Sequence, residues 1–355
     1  MNEYIAIGIM SGTSLDGLDI ACCRFIEDSD SWEFFIEQAV TIEYTENWKN
    51  KLENAPNLTA YELISLHREY GVFIGNQVNE FVSKNRLKPM LIASHGHTVF
   101  HEPEKKLNFQ IGDGASIAAV AGITTVSDFR SLDINLGGQG APLVPIGDHY
   151  LFGAYDFCIN LGGFANISHI EHDKSRIAYD ICPVNIVLNK LANEAGYTYD
   201  KDGEFGRLGK VDNDLLKKLN GIKFYKQKPP KSLGKEWLDS VMMSILESSS
   251  ISLNNKFRTY YEHIVNQIVE CLNVKSNHAK ALITGGGALN KFLIELLTNH
   301  THVEIIIPEK KIIDYKEALI FAFLGVLRIK KQINCLKSVT GARIDNCGGQ
   351  IFYIE

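Results

Sequence analysis

The same short plan occurs twice along this chain. Residues 4–10 are an apolar run that reads as a β-strand, residues 11–17 (SGTSLDG) carry turn chemistry, and residues 18–25 are apolar again. Residues 156–161, the pair Gly162-Gly163 and residues 165–170 repeat that strand, glycine turn and returning strand. No repeat of short period runs through the sequence. With 355 residues, the length suits about two domains. Two glycine-bearing hairpins, each opening a half, predict two similar α/β domains.

Between and after the hairpins the pattern stays mixed. Residues 32–44 read as a further strand pair. Residues 59–84 show helical spacing, and 90–94 is a buried-strand run ending in His95-Gly96-His97. Strands are predicted at 109–113 and 124–127, with a helix over 115–121 between them. A helix is predicted from near Pro183 to 195, because proline suits a first turn. Residues 199–236 are polar and rich in Gly, Pro and Lys, and read as a mobile excursion. A long helix follows over 255–272. The strand 280–284 runs into Gly285-Gly286-Gly287, and a last helix covers 316–331.

Composition excludes several classes. Apolar residues are 45% and charged residues 22%, as in an ordinary globular enzyme rather than a disordered chain. The net charge of −6 is wrong for binding a phosphate backbone, so no nucleic-acid partner is expected. No run of about 18 apolar residues is present, so no membrane span is expected. The N-terminus has no basic region or cleavage site of a signal peptide. The cysteines are seven, scattered and without zinc-ligand spacing, as free thiols in a reducing cytoplasm would be.

Three glycine turns could carry chemistry. In Gly12-Thr13-Ser14-Leu15-Asp16-Gly17 the glycines let backbone N–H groups approach an anion, two hydroxyls add donors, and Asp16 could hold a metal ion through water. The Gly-Lys-Ser/Thr ending of a P-loop is absent. Gly162-Gly163, with Asn166 after it, is the second turn. Gly285-Gly286-Gly287, between a strand and a helix, is the third and suits a nucleotide lying over bare backbone. Each alone is also an ordinary turn. Together they resemble the arrangement of the actin, hexokinase and Hsp70 superfamily, which clamps ATP between two domains.

Other residues have competing readings. Asp180 precedes the predicted helix at Pro183, where the helix dipole would favour its ionised form; capping that helix is the plainer reading. Cys182 there could have a lowered pKa, though a buried inert thiol is the plainer reading. Arg130 could grip a carboxylate bidentately, but an internal pair with Asp128 or Asp133 is favoured by the residues alone. His95 and His97 lack a third metal ligand and suit hydrogen bonding to a polar substrate. Glu317 opens the last predicted helix, where solvated surface is the plainer reading.

The motifs closely resemble one family, the anhydro-N-acetylmuramic acid kinases. The resemblance rests on IGIMSGTSLDGLDIA (7–21), SHGHTVFHEP (94–103), FQIGDGASIA (109–118) and SDFRSLDINLGGQGAPLVP (127–145). It continues through INLGGFANIS (159–168), YDKDGEFGRLGKV (199–211), PPKSLGKEWL (229–238), ITGGGALN (283–290) and SVTGA (338–342). It implies an α/β fold of two actin-like (ribonuclease H-like) domains flanking an ATP-binding cleft. Residues 1–150 with 311–355 would form one domain and 151–310 the other.

The resemblance further implies a cytoplasmic enzyme of cell-wall recycling. It would take 1,6-anhydro-N-acetylmuramic acid, Mg²⁺-ATP and water, and give N-acetylmuramic acid 6-phosphate and ADP. Gly12 through Asp19, with Leu18, would form the phosphate hairpin, Gly162 and Gly163 would face the phosphates, and Gly285 to Gly287 would lie near the adenosine. Asp180 matches the position of the catalytic base, and His95, Asp128, Arg130 and Glu317 would touch the sugar. Family members tend to dimerise, so a homodimer is an expectation, though no exposed apolar helix in the sequence carries it.

One departure stands out. The usual Thr-Gly-Pro-Gly-Asn after the catalytic Asp is Ile181-Cys182-Pro183-Val184-Asn185 here, and the usual His-Gly-Gln is His95-Gly96-His97. Cys182 and Val184 are expected to narrow the site. The rival functions are an actin-like kinase for another amino or anhydro sugar, and a weakly catalytic sensor of nucleotide and wall sugar.

Overall fold

The computed structural model describes residues 1–12, 15–29, 31–272 and 278–354. The chain forms two compact units, Met1–Phe152 with Tyr315–Glu355, and Gly153–Asp314.

The first unit opens with β1 (Asn2–Ser11), which pairs antiparallel with β2 (Gly17–Asp28). β3 (Ser31–Glu43) pairs antiparallel with β2 in turn. On the other side of β1 lies β4 (Leu91–Ser94), parallel to it. β5 (His97–Glu102) and β6 (Leu107–Ile111) make a separate ribbon, and β7 (Thr125–Ser127) is parallel to β4. In the second unit β8 (Phe157–Leu161), β9 (Phe164–Ile170) and β10 (Arg176–Pro183) form an antiparallel meander. β11 (Lys280–Thr284) is parallel to β8, and β12 (Glu304–Ile306) is parallel to β11. The last strand, β13 (Gln350–Phe352), returns to the first unit beside β7.

The two sheets share one order. The first runs β3-β2-β1-β4-β7-β13 and the second β10-β9-β8-β11-β12. In both, a three-strand meander is extended beyond its first strand by two parallel strands, and in the first sheet β13 adds an antiparallel edge beside β7. This is the actin-like, ribonuclease H-like plan, and the repeated hairpin of the sequence opens each copy.

Local chemistry explains the differences from the predicted elements. Residues 32–44 are one strand rather than two, because Ser31–Glu43 contains no Gly, Pro or Asn to turn on. It follows β2 along its length, broken only by a bulge at Cys22/Cys23. Pro183 does not start a helix but closes β10 opposite Phe164, and the helix begins at Asn185. The 199–236 stretch is not an open excursion. It holds helices Glu204–Leu208 and Asn213–Asn220, capped by Asp212, and a turn over Lys223–Lys226.

The helix Ala60–Asn85 starts with a capping box between Thr59 and Glu62 and buries Leu66, Tyr70, Ile74, Val78 and Phe81. The last long helix spans Lys310–Ile329 and bends at Tyr315, so Glu317 lies inside it rather than at its start. Its Leu319 to Leu324 stretch is buried throughout. This helix rests directly on β1: a Cβ built on Gly8 would sit 1.7 Å from the Ala318 carbonyl oxygen. Asp133, fully buried, ties the 137–142 loop to the C-terminal segment. It accepts from the Gly140 N–H at 2.8 Å, Thr340 Oγ1 at 2.8 Å, Asn346 Nδ2 at 2.9 Å and Cys335 Sγ at 3.1 Å.

Candidate active site

In open sheets of this type ligands bind beyond the carboxyl ends of the parallel strands. The candidate residues collect there. In the first unit Gly12 follows β1, His95 follows β4 and Asp128 follows β7. In the second, Gly162 follows β8 and Gly285 follows β11.

At the end of β1, Ser11 is buried and joins a polar chain. His97 Nδ1 lies 3.0 Å from Ser11 Oγ, the Tyr44 hydroxyl donates to that oxygen at 2.8 Å, and Tyr44 and Tyr70 share a hydrogen bond. Burial holds His97 down at about 4, so the ring is neutral at physiological pH. His97, standing where the family usually has Gln, thus ties down the root of the hairpin. Thr13 and Ser14 lie outside the described residues. Leu15 has positive φ, Gly17 abuts the Ile42 carbonyl, and Leu18 is in the core. Asp16 is exposed, and Asp19 Oδ1 accepts from Thr41 Oγ1 at 2.6 Å. Among the described residues no group of three or more His, Cys, Asp or Glu could hold a metal ion.

Arg130 makes neither of the internal pairs its neighbours suggested. Its Nε and one Nη reach His95 Nε2 at 3.2 and 2.8 Å, and the other Nη donates to the Gly140 carbonyl at 2.7 Å. Asp128, at φ 54°, accepts instead from Ser131 Oγ at 2.6 Å. His95 is held well below the usual imidazole range, by burial first and then by the Arg130 charge. Its Nδ1 lies 2.9 Å from the Gly96 carbonyl, so the proton sits on Nδ1 and Nε2 accepts from Arg130. Desolvation lowers Arg130 to about 10, which leaves it a cation; the Glu317 charge opposes that shift. Glu317 is open to solvent, yet desolvation raises its carboxyl; the Asp19 charge adds to this, and Arg130 and Lys316 oppose it. His95 and Asp128 line a recess of about 190 Å³ with Ser94, Asp113 and Ser131.

In the second unit the two glycine turns meet. Gly285 takes φ 79°, and a side chain there would strike Asn160 and Leu161 at the end of β8. Gly287 is equally tight, 2.7 Å from Leu161 Cβ, whereas the nearest atom to a Cβ on Gly286 is 3.9 Å away. Gly285 and Gly287 are therefore needed for packing, and Gly286 alone is open. Gly286 lines a recess of about 330 Å³ with Tyr199, Asp200, Tyr261, Leu289 and Asn290. Tyr199 and Leu289 are exposed there. Asp200 is buried below them, accepting from the Phe205 and Gly206 amides and the Tyr261 hydroxyl. The Gly162 and Gly163 carbonyls accept from the amides of Val184, Asn185 and Ile186, so this turn already satisfies the start of the 185–194 helix.

Asp180 lies within β10, not at a helix start. It pairs with Asn166, and a bulge between Asp180 and Cys182 re-aims the strand. Its carboxyl is raised, by desolvation, against a hydrogen bond from the Leu233 amide at 2.8 Å. The expected dipole-stabilised setting is thus replaced by a desolvated one. The Asp180 amide donates to the Lys231 carbonyl at 3.1 Å. The PPKSLGKEWL stretch therefore docks on Asp180, which sequence reasoning missed; its only signal was a motif without a role. Ile181, Cys182 and Val184 all turn into the core of this unit and do not narrow the site. Burial pushes the Cys182 thiol well up, so it is an unreactive thiol.

The sequence profile described as "Anhydro-N-acetylmuramic acid kinase" matches residues 4–354. The chain belongs to this family. The anhydro-N-acetylmuramic acid kinase of Sulfurovum sp. (strain NBC37-1) is 34% identical, covering 99% of this chain and all of its own. That of Francisella tularensis subsp. novicida is 33% identical, covering 99% of both. Component A of the Acidaminococcus fermentans (R)-2-hydroxyglutaryl-CoA dehydratase overlays with a TM-score of 0.44 at 13% identity, over 90% of this chain and 96% of its own. As a member of this kinase family the chain is an ATP-dependent enzyme. Among the described residues no helix of this kinase is long and apolar enough to cross a membrane.

Proposed function

We propose that this kinase opens the 1,6-anhydro ring of 1,6-anhydro-N-acetylmuramic acid with water and phosphorylates the freed 6-oxygen from ATP. The products are N-acetylmuramic acid 6-phosphate and ADP, a step of peptidoglycan recycling. The bridge masks the 6-oxygen, so a plain kinase has no hydroxyl to use. The observation that carries the reading is Asp180: one carboxylate oxygen is fixed by the Leu233 amide, and among the described residues nothing bonds the other. Desolvation strengthens such a carboxylate as a base.

Water attacks the anomeric carbon as Asp180 takes its proton. The bond from that carbon to the 6-oxygen breaks with its electron pair staying on oxygen. That oxygen attacks the γ-phosphorus, and ADP leaves with the bridging pair. Arg130, oriented by His95, and Glu317 and Asp128 supply sugar contacts, with Arg130 facing the lactyl carboxylate. Gly12 to Asp19 and Gly162-Gly163 attend the phosphates. Asp16, exposed on the phosphate hairpin, would hold Mg²⁺ through water, as suits an ion that dehydrates reluctantly. When bound, Mg²⁺ neutralises charge on the transferring phosphoryl group.

The test is the product mass from Mg-ATP and the anhydro sugar in ¹⁸O-labelled water. The expected product is a phosphorylated sugar with one labelled oxygen at the anomeric position. A phosphorylated sugar that keeps its anhydro bridge would sink the reading, and so would binding without turnover.

The Gly286 recess, with its bare backbone between Tyr199 and Leu289, suits a flat base. Gly286→Ala is expected to weaken nucleotide binding about tenfold, or about 1.4 kcal/mol, with an unchanged melting temperature. Gly287→Ala is expected to lower stability by about 1–3 kcal/mol through overpacking on Leu161. Calorimetric titration with ATP and thermal melts of both variants check the contrast.

A further inference from the structure

Residues 231–233 form a short strap along the outer edge of β10, the free edge of the second sheet. It holds Asp180 twice. The Lys231 carbonyl accepts from the Asp180 amide at 3.1 Å, and the Leu233 amide donates to Asp180 Oδ2 at 2.8 Å. A carboxylate on a bulged edge strand would otherwise turn about its side-chain bonds. With one oxygen tied to a backbone amide, the direction of the other is set.

The strap itself is anchored by the Lys231 side chain. Nζ lies 3.5 and 3.4 Å from the carbonyls of Phe224 and Tyr225, in the middle of the Lys223–Lys226 turn. The same ammonium sits 4.8 Å from the Phe224 ring centre and 5.7 Å from that of Tyr179, the residue preceding Asp180. A cation is thereby spent on two carbonyls and two aromatic faces, and makes no ion pair among the described residues. Its position ties the strap to the strand that bears the base.

We propose that Lys231 is a positioning residue for the reaction: it pins the strap so that the Leu233 amide fixes one oxygen of Asp180 and leaves the other aimed at the attacking water. The inference rests on the reading of Asp180 as the base. The ionisable groups around Asp180 do not share its titration. Cys182 on its own strand, Cys271 and Tyr260 on the Leu253–Cys271 helix, and Tyr179 and Tyr225 are all raised by burial and stay neutral. His263 is held at about 3. His169, lowered by burial, stands edge-on to Tyr179 and faces Glu171.

The experiment is the pH profile of kcat/KM for the full chain with Mg-ATP and the anhydro sugar. Lys231→Met, Lys231→Arg, Leu233→Pro and Asp180→Asn are compared with the parent. The Leu233 amide favours the ionised carboxylate, so losing it moves the acid limb to higher pH. Lys231→Met and Leu233→Pro are expected to shift that limb up by about one pH unit while nucleotide affinity holds. Lys231→Arg is expected to restore it, since a guanidinium can stack on the same rings and donate to the same carbonyls. A rate that falls equally at every pH, with the limb unmoved, overturns the proposal. Should Leu233→Pro fail to fold, Lys231→Met decides alone. Turnover surviving in Asp180→Asn would instead remove the base itself. An inactive Asp180→Asn beside an unmoved limb in Lys231→Met would remove only the strap's role.

Discussion

Asp180→Asn is expected to lower kcat by about 10²–10⁴-fold, the range for loss of a general base. The substitution is nearly isosteric, and the new amide oxygen can still accept from the Leu233 N–H, now at 2.8 Å from Asp180 Oδ2. Folding and nucleotide binding should therefore persist, so the loss reads on chemistry. ADP release under saturating substrates measures it, with a calorimetric nucleotide titration as the control. The parent enzyme should also lose activity as pH falls, because the base works only when ionised. Desolvation raises this carboxyl, so the acid limb is expected above the ordinary Asp range of about 3.9. An Asn variant that turns over like the parent would show that another group takes the proton.

The second large effect is on stability. Gly8→Ala is expected to cost more than about 3 kcal/mol, at the upper end for overpacking. The added methyl would meet the Ala318 carbonyl oxygen at 1.7 Å, its carbon at 2.7 Å and the Ala322 amide nitrogen at 2.8 Å. All three are backbone atoms, so no side chain can rotate away. Relief requires the whole Lys310–Ile329 helix to lift from β1, and that helix buries Leu319, Phe321, Phe323 and Leu324. Against a total stability of about 5–15 kcal/mol, such a loss is large. It should lower the melting temperature and reduce activity too, since Glu317 sits beside Ala318. An unchanged melting temperature would mean that the helix is not seated on the strand.

Much of the candidate site was legible because some chemistry is local. Glycine turns after apolar strands, at 12–17, 162–163 and 285–287, declare themselves through composition and order. The repeated hairpin predicted the repeated sheet for the same reason: a strand, a turn and its partner are contiguous in sequence. The 32–44 segment misled because its apolar content looked like two strands, although nothing in Ser31–Glu43 could turn. Asp180 misled in a different way. Its proximity to Pro183 suggested a helix dipole, but pairing with Asn166 across the sheet drew the whole segment into β10. The Gly-to-larger replacements at 182 and 184 suggested a narrowed site, and only the core they enter shows where their side chains go.

By itself the sequence determined the α/β class, the doubled architecture, the family and the positions of the chemically able residues. These depend on neighbours a few residues apart or on motifs that survive as strings. Only the tertiary structure decided what those residues touch. Arg130 is bound to His95, 35 positions away, rather than to Asp128. Asp180 is held by Leu233, 53 positions on. Gly286 is open while Gly287 is packed on Leu161. Gly8, in an apolar run with nothing to mark it, is the point where a helix more than 300 residues later reaches the backbone. Hydrogen bonds and close packing act over ångströms in space and are blind to separation along the chain, so no local pattern can encode them.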